Sequence, residues 1–330
     1  MKIAICGVTG AVGKEVLRCI KDLSLQYDTL DCYASANSAG KTIESPLGNF
    51  VIRPFTLEAC SGYDLIFLCV SGSFSARYAE KLLLNNRYVI DNSSNFRYDD
   101  QVPLVIPEIN FHTVKNHRLI ANPNCTTAIL SLPLYPIYQA FGLKRIIVST
   151  YQATSGGGQA AMDELREESL RFLQEDAAGH HHFVHPIPFN LIPAIDTFQP
   201  NGYTREEMKV VWETQKIFED DQIKISATAV RVPTFRAHAE SITLETAHPI
   251  DMNKVYSLLG TTPGVTLVDD PENHLYPMPI TASGNANVEV GRIRKNNVFG
   301  ENGLDLFICG DQLLKGAALN AVQIAQHLFK

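Results

Sequence analysis

Apolar residues in the first third of the chain fall into short, β-branched runs that are separated by segments with helical periodicity. The runs predict strands at Lys2–Cys6, Leu30–Ala34, Asp64–Val70, Tyr88–Asp91 and Arg118–Ala121. A helix with Val12, Val16, Leu17 and Ile20 on one face is predicted after the first run, and another near Ser75–Asn85. Because strands that alternate with helices form βαβ units, this part predicts a doubly wound parallel sheet of the α/β class.

The pattern changes after Cys125. An apolar helical stretch reaches about Phe141, and the alternating strand Lys144–Gln152 leads through a glycine cluster into the charged helix Gln159–Gln174. The polar segment Glu175–Pro200 is too long and too aperiodic for a simple turn. Further strand-like runs are Ile223–Val232, Ser241–Ala247, Val288–Arg294 and Leu304–Cys309. Their short separations predict an α+β domain with a mainly antiparallel or mixed sheet, and an amphipathic helix follows at Asp311–Phe329.

Composition narrows the class of protein. The 330 residues are 45% hydrophobic and 19% charged, with a net charge of −7, which excludes a disordered chain and a nucleic-acid binder held by bulk positive charge. No export signal is visible, and prolines and amides interrupt the longest uncharged stretch, Ala121–Leu143. We therefore expect a soluble, cytoplasmic protein without membrane or nucleic-acid partners.

A glycine-rich turn joins the first strand to the first helix. Glycines in this context permit a tight turn and let backbone N–H groups meet a pyrophosphate at the helix N-terminus. The turn predicts a Rossmann-type dinucleotide site rather than a merely structural turn, and its contacts are Gly7, Thr9, Gly10, Ala11, Val12 and Gly13. The tip of the second strand carries Ser35, Asn37, Ser38 and Lys41 and no carboxylate. Since no acid there would repel a 2′-phosphate, NADP is favoured.

One of the seven cysteines differs from the others. Cys125 lies in Asn122–Thr127, between a strand and an apolar helix, where the helix dipole favours a thiolate. The other six sit among apolar neighbours without CxxC spacing, as reduced and buried thiols do. A nucleophile needs a base, and His238 is the candidate because its segment also offers the guanidinium groups of Arg231 and Arg236. The alternative for Cys125 is a buried free cysteine.

Other polar positions carry weaker signals. Arg97 follows a strand of the first domain and suits a phosphate or carboxylate, although a surface arginine in a turn would look the same. Glu206 and Lys209, at i and i+3, are read from local sequence as a solvated ion pair worth little. Adjacent histidines at His180–His182, with His185, rarely converge on one ion, so no metal site is predicted.

Eight segments, in this order, resemble the aspartate-semialdehyde dehydrogenase family over nearly the whole chain. They are GVTGAVG at Gly7–Gly13, SSNFR at Ser93–Arg97, NPNCTT at Asn122–Thr127, TYQATSGGG at Thr150–Gly158, EEMK at Glu206–Lys209, RVPTFRAH at Arg231–His238, and GRIRK with KGAALNAVQIA towards the C-terminus. The resemblance implies NADPH-dependent reduction of aspartyl 4-phosphate to aspartate 4-semialdehyde with release of phosphate. This is the branch-point step towards lysine (through diaminopimelate), threonine, methionine and isoleucine.

The resemblance also implies a role for each candidate residue. Cys125 matches the nucleophile that forms a thioacyl enzyme, His238 the acid/base, and Gln152 the group that orients the intermediate. The substrate contacts are Arg231 for the α-carboxylate, Arg97 with Lys209 for phosphate, and Glu206 for the amino end. Further expected cofactor contacts are Ser155, Gly156 and Asn320. A homodimer is implied, with a nucleotide-binding domain of residues 1–126, completed by the helix at 311–330, and a catalytic and dimerisation domain of residues 127–310.

One residue departs from the family's pattern, and two other functions compete with the one that the resemblance implies. Asn37 stands where many bacterial members carry an arginine that would pair with the 2′-phosphate, so the chain is expected to accept NAD more readily. N-acetyl-γ-glutamyl-phosphate reductase shares the fold and the chemistry, but NPNCTT and RVPTFRAH match the aspartate enzyme better. A non-catalytic nucleotide-binding paralogue is disfavoured because Cys125, Gln152, Arg231 and His238 are all present.

Overall fold

A computed structural model describes residues 1–83, 87–174 and 182–330 of the chain. The chain divides into two compact units. The first unit comprises Met1–Asn124 and Gly316–Lys330, and the second comprises Cys125–Lys315.

The first unit contains a parallel six-stranded sheet. Its strands and the accompanying antiparallel hairpin β3–β4 are β1 (Lys2–Cys6), β2 (Thr29–Ala34), β3 (Thr42–Ser45), β4 (Gly48–Val51), β5 (Arg53–Pro54), β6 (Leu65–Leu68), β7 (Tyr88–Asp91) and β8 (Leu119–Ala121). The order β5-β2-β1-β6-β7-β8 confirms the predicted doubly wound α/β sheet. The chain turns to opposite sides of β1 to form β2 and β6, and ligands bind at such a switch point, beyond the carboxyl ends of the strands.

Three helices of the first unit precede the second unit. They are α1 (Ala11–Asp22), α2 (Gly72–Tyr78) and the single turn α3 (Pro107–Asn110). The prediction of one helix near Ser75–Asn85 was wrong in its bounds. Ser71 caps α2 by accepting a hydrogen bond from the Phe74 amide, so the helix begins earlier and gives way to a 3-10 turn at Glu80–Leu82. Asn85 lies outside the described residues.

The second unit contains a mixed six-stranded sheet, as predicted. Its strands, in the order β10-β9-β11-β14-β13-β12, are β9 (Leu143–Gln152), β10 (Lys224–Arg231), β11 (His238–Thr246), β12 (Val265–Leu267), β13 (Val288–Lys295) and β14 (Gly303–Gly310). β9 pairs parallel with β10 and antiparallel with β11. The predicted strand Ser241–Ala247 was too short, because β11 already begins at His238.

Five helices within the described residues accompany this sheet. They are α4 (Cys125–Phe141), α5 (Gln159–Leu173), α6 (Arg205–Phe218), α7 (Met252–Thr261) and the single turn α8 (Pro279–Ala282). α4 keeps its helical path through Pro133 and Pro136. α6 begins with a capping box in which Thr204 and Glu207 bond each other's backbone amides.

The C-terminal segment is less regular than its periodicity predicts. Instead of one α-helix over Asp311–Phe329, a π-helical turn at Leu314–Ala318 precedes α9 (Leu319–Leu328). Gly316 lies inside that turn. Because glycine has a low α-helix propensity, a π-helical turn replaces the α-helix there at a smaller cost in free energy. α9 packs within the first unit, and its Gln326 donates a hydrogen bond to the Leu23 carbonyl at the end of α1. No helix within the described ranges is both long and apolar enough to cross a bilayer.

Candidate active site

Cys125 and His238 meet in the second unit. Cys125 is the first residue of α4 and His238 the first of β11, and 3.5 Å separates Sγ of the former from Nε2 of the latter. Five of the seven cysteines are buried, whereas Cys125 and Cys69 are only partly buried. The structure therefore gives the cysteine singled out by its sequence context a histidine partner and partial access to solvent.

His238 is almost fully enclosed. Its Nδ1 atom accepts a hydrogen bond of 3.1 Å from the backbone N–H of Ala153, which follows β9. Burial, with a smaller contribution from the positive charge of Arg231, lowers the pKa of His238 to about 3. The imidazole is consequently neutral at physiological pH.

Arg231 ends β10 and lies beside this pair. Its Nη1 atom donates a 2.6 Å hydrogen bond to the Ala153 carbonyl, so both backbone groups of Ala153 are used within the site. Burial lowers the pKa of the guanidinium, although the negative charges of Glu206 and Cys125 favour its charged form. A Cβ atom on Gly156 would lie 3.0 Å from Nη1 of Arg231 and 3.5 Å from the His238 ring. The absence of a side chain at Gly156 thus leaves room for both groups.

Gln152, the last residue of β9, connects helices α4 and α6 at the site. Its Nε2 atom donates to Oγ1 of Thr126 and, at 3.1 Å, to Oε1 of Glu206. Because the carboxylate of Glu206 can only accept, this contact fixes which end of the amide carries the nitrogen. The buried Oε1 atom of Gln152 has no hydrogen-bond partner within the described residues. Buried acceptors of this kind are rare in folded proteins and are explained at functional sites by a bound ligand or water.

Glu206 and Lys209 are not the solvated pair that local sequence suggests. Lys209 Nζ lies 2.8 Å from Glu206 and 2.8 Å from Asp196, and the exposed fractions of the lysine and glutamate side chains are 13% and 9%. Burial alone would lower the pKa of Lys209, but the two carboxylates outweigh it and raise that pKa. The interpretation as a solvated surface pair was wrong because α6 turns the face that carries Glu206 and Lys209 towards Gln152.

Three groups of this network were not singled out in the sequence analysis. Asp196 lies in the aperiodic segment, with a left-handed φ of 71°. Ala153 contributes backbone atoms only, and Thr126 holds Gln152 through its hydroxyl. Thr126 stands next to Cys125, so adjacency to the candidate nucleophile is the one clue that the sequence offered.

Arg236, the second guanidinium in the segment of His238, pairs with a carboxylate of the second unit. Its Nε atom pairs at 2.5 Å with Asp311, which is buried and also accepts from the Gly284 amide. The neighbouring Ala237 has a left-handed φ of 68°, and its N–H donates to the side chain of Gln312. Gln312 in turn donates to Ser155, one of the expected cofactor contacts. Ser155 is buried, and its hydroxyl accepts this bond. Gln312 thereby connects Ser155 to Ala237, the residue before β11.

The glycine turn of the first unit fits a dinucleotide. Gly7 has a φ of 85°, and a Cβ there would lie 2.1 Å from the Cys69 carbonyl oxygen. A Cβ on Gly13 would lie 2.4 Å from the Gly7 carbonyl oxygen. Gly10 precedes α1 as its N-cap residue and provides no side-chain hydrogen bond, so the first-turn N–H groups near Ala11 and Val12 are offered to an anion. Thr9 and Gly10 are exposed beside them.

The tip of β2 leads into a 3-10 turn, Ala36–Ser38, which Ser35 begins. Ser35 and Asn37 are exposed, and Ser38 is half-buried. The nearest carboxylate of β2, Asp31, accepts from Tyr63 and pairs with Arg53. Asp31 is therefore used within the protein, and Ser35, Asn37 and Ser38 present neutral donors at the tip.

Arg97 and Asn320 share a partner in the first unit. The guanidinium of Arg97 is buried and donates to the carbonyl oxygens of Asn122 and Asn92, at 2.8 and 2.9 Å. Asn320 donates through its amide to Asn122 Oδ1 and to the Val105 carbonyl, at 2.7 and 2.8 Å. Both residues thus hold the segment that runs from Asn122 towards Cys125.

Metal ligands are not assembled in the part of the chain that the structure describes: no group of three His, Cys, Asp or Glu residues there is arranged to hold an ion. His180 and His181, which the sequence analysis considered, lie outside the described residues.

Comparison with known proteins gives a consistent result. Residues 2–117 match the model of the semialdehyde dehydrogenase NAD binding domain, and residues 134–315 match that of the semialdehyde dehydrogenase dimerisation domain. Aspartate-semialdehyde dehydrogenases from Synechocystis sp. and Aquifex aeolicus are 44% and 42% identical, over 99% and 100% of this chain and 97% and 98% of theirs. A crystal structure of aspartate semialdehyde dehydrogenase II from Vibrio cholerae, complexed with ASA, is 40% identical with a TM-score of 0.94, covering 99% of this chain and 98% of that one.

Proposed function

Since this chain belongs to the aspartate-semialdehyde dehydrogenase family, we propose that it catalyses the NADPH-dependent reduction of aspartyl 4-phosphate to aspartate 4-semialdehyde, with release of phosphate. The observation that carries the proposal is the pairing of Cys125 Sγ with His238 Nε2 at 3.5 Å, beside the buried guanidinium of Arg231. A nucleophile, an acid/base group and a cation within one unit are the parts that acyl transfer requires.

Cys125 forms the covalent intermediate in this scheme. Its thiolate attacks the acyl carbon of aspartyl phosphate, the C–S bond forms, and the C–O bond to phosphate breaks. NADPH, when bound, would supply the hydride that reduces the resulting thioester. Cys125 then carries a tetrahedral hemithioacetal anion; re-formation of its C=O bond breaks the C–S bond, releases the aldehyde and restores the thiolate.

The charged groups of the second unit suit the ends of the substrate. Arg231 presents a planar guanidinium, which binds a carboxylate with two hydrogen bonds, and we assign it to the α-carboxylate. Glu206 is assigned to the amino group, and the carbonyl of Gln152, which lacks a partner in the described chain, accepts from the bound substrate. Lys209 is assigned to the phosphate together with Arg97, and it keeps one N–H for that purpose after bonding Asp196 and Glu206.

The cofactor assignment rests on the first unit. The space left by Gly7 and Gly13 and the uncapped start of α1 suit a pyrophosphate. Ser35, Asn37 and Ser38 would face the ribose end, and the absence of a free carboxylate there favours NADP. Asn37 provides an amide instead of a cation, so we infer that NAD is also accepted. Ser155 and Gly156 of the second unit are assigned to the nicotinamide end.

A homodimer is the proposed assembly, since the match at residues 134–315 is to a dimerisation domain. ASA, the ligand of the Vibrio cholerae relative, supports a small-molecule substrate of the same kind.

An assay of the reverse reaction tests the activity. Purified protein is supplied with aspartate semialdehyde, phosphate and NADP, and the absorbance of NADPH is followed. We expect phosphate-dependent reduction of NADP, and slower reduction of NAD. A parallel assay with N-acetylglutamate semialdehyde should give no comparable rate; if that aldehyde is preferred, the chain is the N-acetylglutamyl-phosphate reductase. Binding of NADP without turnover of either aldehyde would contradict the proposal in favour of a non-catalytic paralogue.

A further inference from the structure

Glu240 of β11 is a buried carboxyl group that the proposed chemistry does not use. Its side chain has no exposed surface, and neither of its oxygens has a hydrogen-bond partner within the described residues. Buried polar atoms without a partner are rare in folded proteins, and an ordered water or ion is a common explanation for them. The surroundings of Glu240 therefore identify what it binds.

Thr150 of β9 is the direct neighbour of Glu240. The two residues face each other in the antiparallel pairing of β9 with β11, and side chains in such a pair extend to the same face with Cβ atoms about 4.5–5.5 Å apart. Oγ1 of Thr150 is also buried and has no partner in the described part of the chain. Two polar groups thus lie side by side without bonding each other, an arrangement that a bridging water satisfies.

The residues around this pair are small or polar. On the other side of Thr150, the register places Ala229 of β10, a buried residue that has only a methyl group. Helix α4 packs against both β9 and β11, and its Ser131 is a third buried hydroxyl for which the described residues supply no partner. An internal water needs about two to four polar partners. The carboxyl group and the two hydroxyl groups are enough to supply them.

Burial keeps the carboxyl group of Glu240 neutral. It raises the pKa of this group well above the usual value, because an isolated carboxylate loses its hydration in the interior, and no charged neighbour offsets the effect. The titratable groups nearest along its face are His238 of β11 and Cys125 of α4. On β14, burial raises the pKa of Cys309, with smaller contributions from Glu289 and Glu240. A neutral carboxyl donates one O–H and still accepts, so it suits a water molecule.

We propose that Glu240, as a neutral carboxylic acid, binds an internal water molecule together with Thr150, and that this water site positions the ends of β9 and β11 at the active site. The next positions on the same face are Gln152, the last residue of β9, and His238, the first of β11. Glu240 is a positioning residue, because it acts through these two. The water site stands independently of the proposed function, whereas the positioning role rests on it.

Two measurements that need no turnover test the water site. In a crystal structure of the full-length protein at a resolution that shows ordered water, we expect a water molecule within hydrogen-bond distance of Glu240 and of Thr150 Oγ1. A direct hydrogen bond between the two side chains, or a dry contact, would overturn the inference. The infrared difference spectrum between wild type and Glu240→Gln should contain the C=O band of a neutral carboxyl at about pH 7. Carboxylate bands in its place would contradict the neutral acid.

Variants at the two positions test whether they share one site. Glu240→Gln keeps a neutral group of the same shape, so its melting temperature should stay within about 2 °C of wild type. Glu240→Met and Thr150→Val each leave the other polar group buried without its partner, and each should lower the melting temperature by about 3 °C or more. The double variant removes both groups and should lose less than the sum of the two. Additive losses would show that no water joins them.

The rate of the reverse reaction distinguishes positioning from stability alone. In the double variant we expect kcat to stay about 5-fold or more below wild type even where the melting temperature recovers, because small displacements of Gln152 and His238 slow the chemistry. The dissociation constant for NADP should be unchanged, and Glu240→Gln should keep kcat within about 3-fold. A double variant with wild-type kcat would refute the positioning role. A wild type without turnover would refute the proposed function and this role together, while the crystal structure and the infrared spectrum still decide the water site.

Discussion

Sγ of Cys125 and Nε2 of His238 lie 3.5 Å apart although 113 positions separate the two residues in the chain. One residue starts α4 and the other starts β11 of the same sheet-centred unit. The pair therefore exists only in the folded second unit, and the reactivity of Cys125 should be a property of that fold, not of the local sequence.

Replacement of the nucleophile should separate chemistry from cofactor binding. Cys125→Ser is expected to lower kcat for phosphate-dependent NADP reduction by roughly 10³-fold or more, because a serine hydroxyl is not ionised beside a neutral imidazole. The dissociation constant for NADP, measured by fluorescence titration, should change little. Cys19→Ala, which alters a buried thiol of α1, is the matched control and should keep kcat. A Cys125→Ser enzyme with a substantial rate would contradict the covalent scheme.

The contact between Asp196 and Lys209 predicts an acid-dependent difference in stability. Burial alone would raise the pKa of Asp196, but hydrogen bonds from Lys209 and the Thr197 amide outweigh burial and lower that pKa. A folded-state pKa below the unfolded value stabilises the fold above the unfolded pKa, near 4, and this contribution disappears as pH falls through the folded value. With 31% of the Asp196 side chain exposed, we expect about 1 kcal/mol or less at pH 7.

A double-mutant cycle measures the coupling free energy between Asp196 and Lys209. Urea unfolding of the wild type, Asp196→Asn, Lys209→Met and the double variant is compared at pH 7 and at about pH 3. The coupling free energy should favour the wild type at pH 7 and shrink towards zero in acid. Coupling that is unchanged, or larger, at the lower pH would show that the aspartate is not held ionised by the lysine.

Alanine substitutions at two glycines of the first unit, Gly13 in the glycine turn and Gly62 outside it, should have very different effects on NADP affinity. Gly13→Ala would place a Cβ 2.4 Å from the Gly7 carbonyl oxygen, so the start of α1 must shift away from the turn. We expect NADP affinity to fall by about 10-fold or more and the melting temperature to decrease. At Gly62 a Cβ has open space and no positive φ, so Gly62→Ala should preserve both quantities. Equal NADP affinities in the two variants would argue against pyrophosphate binding at this turn.

The sequence analysis anticipated the parts of the molecule that local patterns determine. Short buried runs such as Leu65–Leu68, flanked by helical segments, are typical of strands in a covered parallel sheet, and Cys125 was distinguished because it stands where a strand gives way to a helix. The bounds of α6 were not predicted, although Glu206 and Lys209 were placed on a helix and Thr204 and Glu207 form a capping box that the sequence does contain.

Other features of the site depend on tertiary structure alone. Asp196 reaches Lys209 from an aperiodic segment through a left-handed backbone conformation, which nothing in the composition of that segment signals. The role of Ala153 is carried by its amide and carbonyl, so its side chain gives no clue. Glu206 and Lys209 looked like a surface pair because spacing reports which residues are neighbours on a helix, but not which face is buried.

Substitution of the exposed residue Asn37 tests whether the protein prefers NADP or NAD. It is exposed on the 3-10 turn after β2, with Ser35 and Ser38 on either side. An arginine there would add a charge-assisted, bidentate contact to the 2′-phosphate, worth about 1–2 kcal/mol, so Asn37→Arg should lower the KM for NADP by roughly 5- to 30-fold. The KM for NAD should not improve, because NAD lacks the phosphate, and Asn37→Ala serves as the size control. If Asn37→Arg leaves the KM for NADP unchanged, the neighbouring serines and Lys41 already satisfy the phosphate.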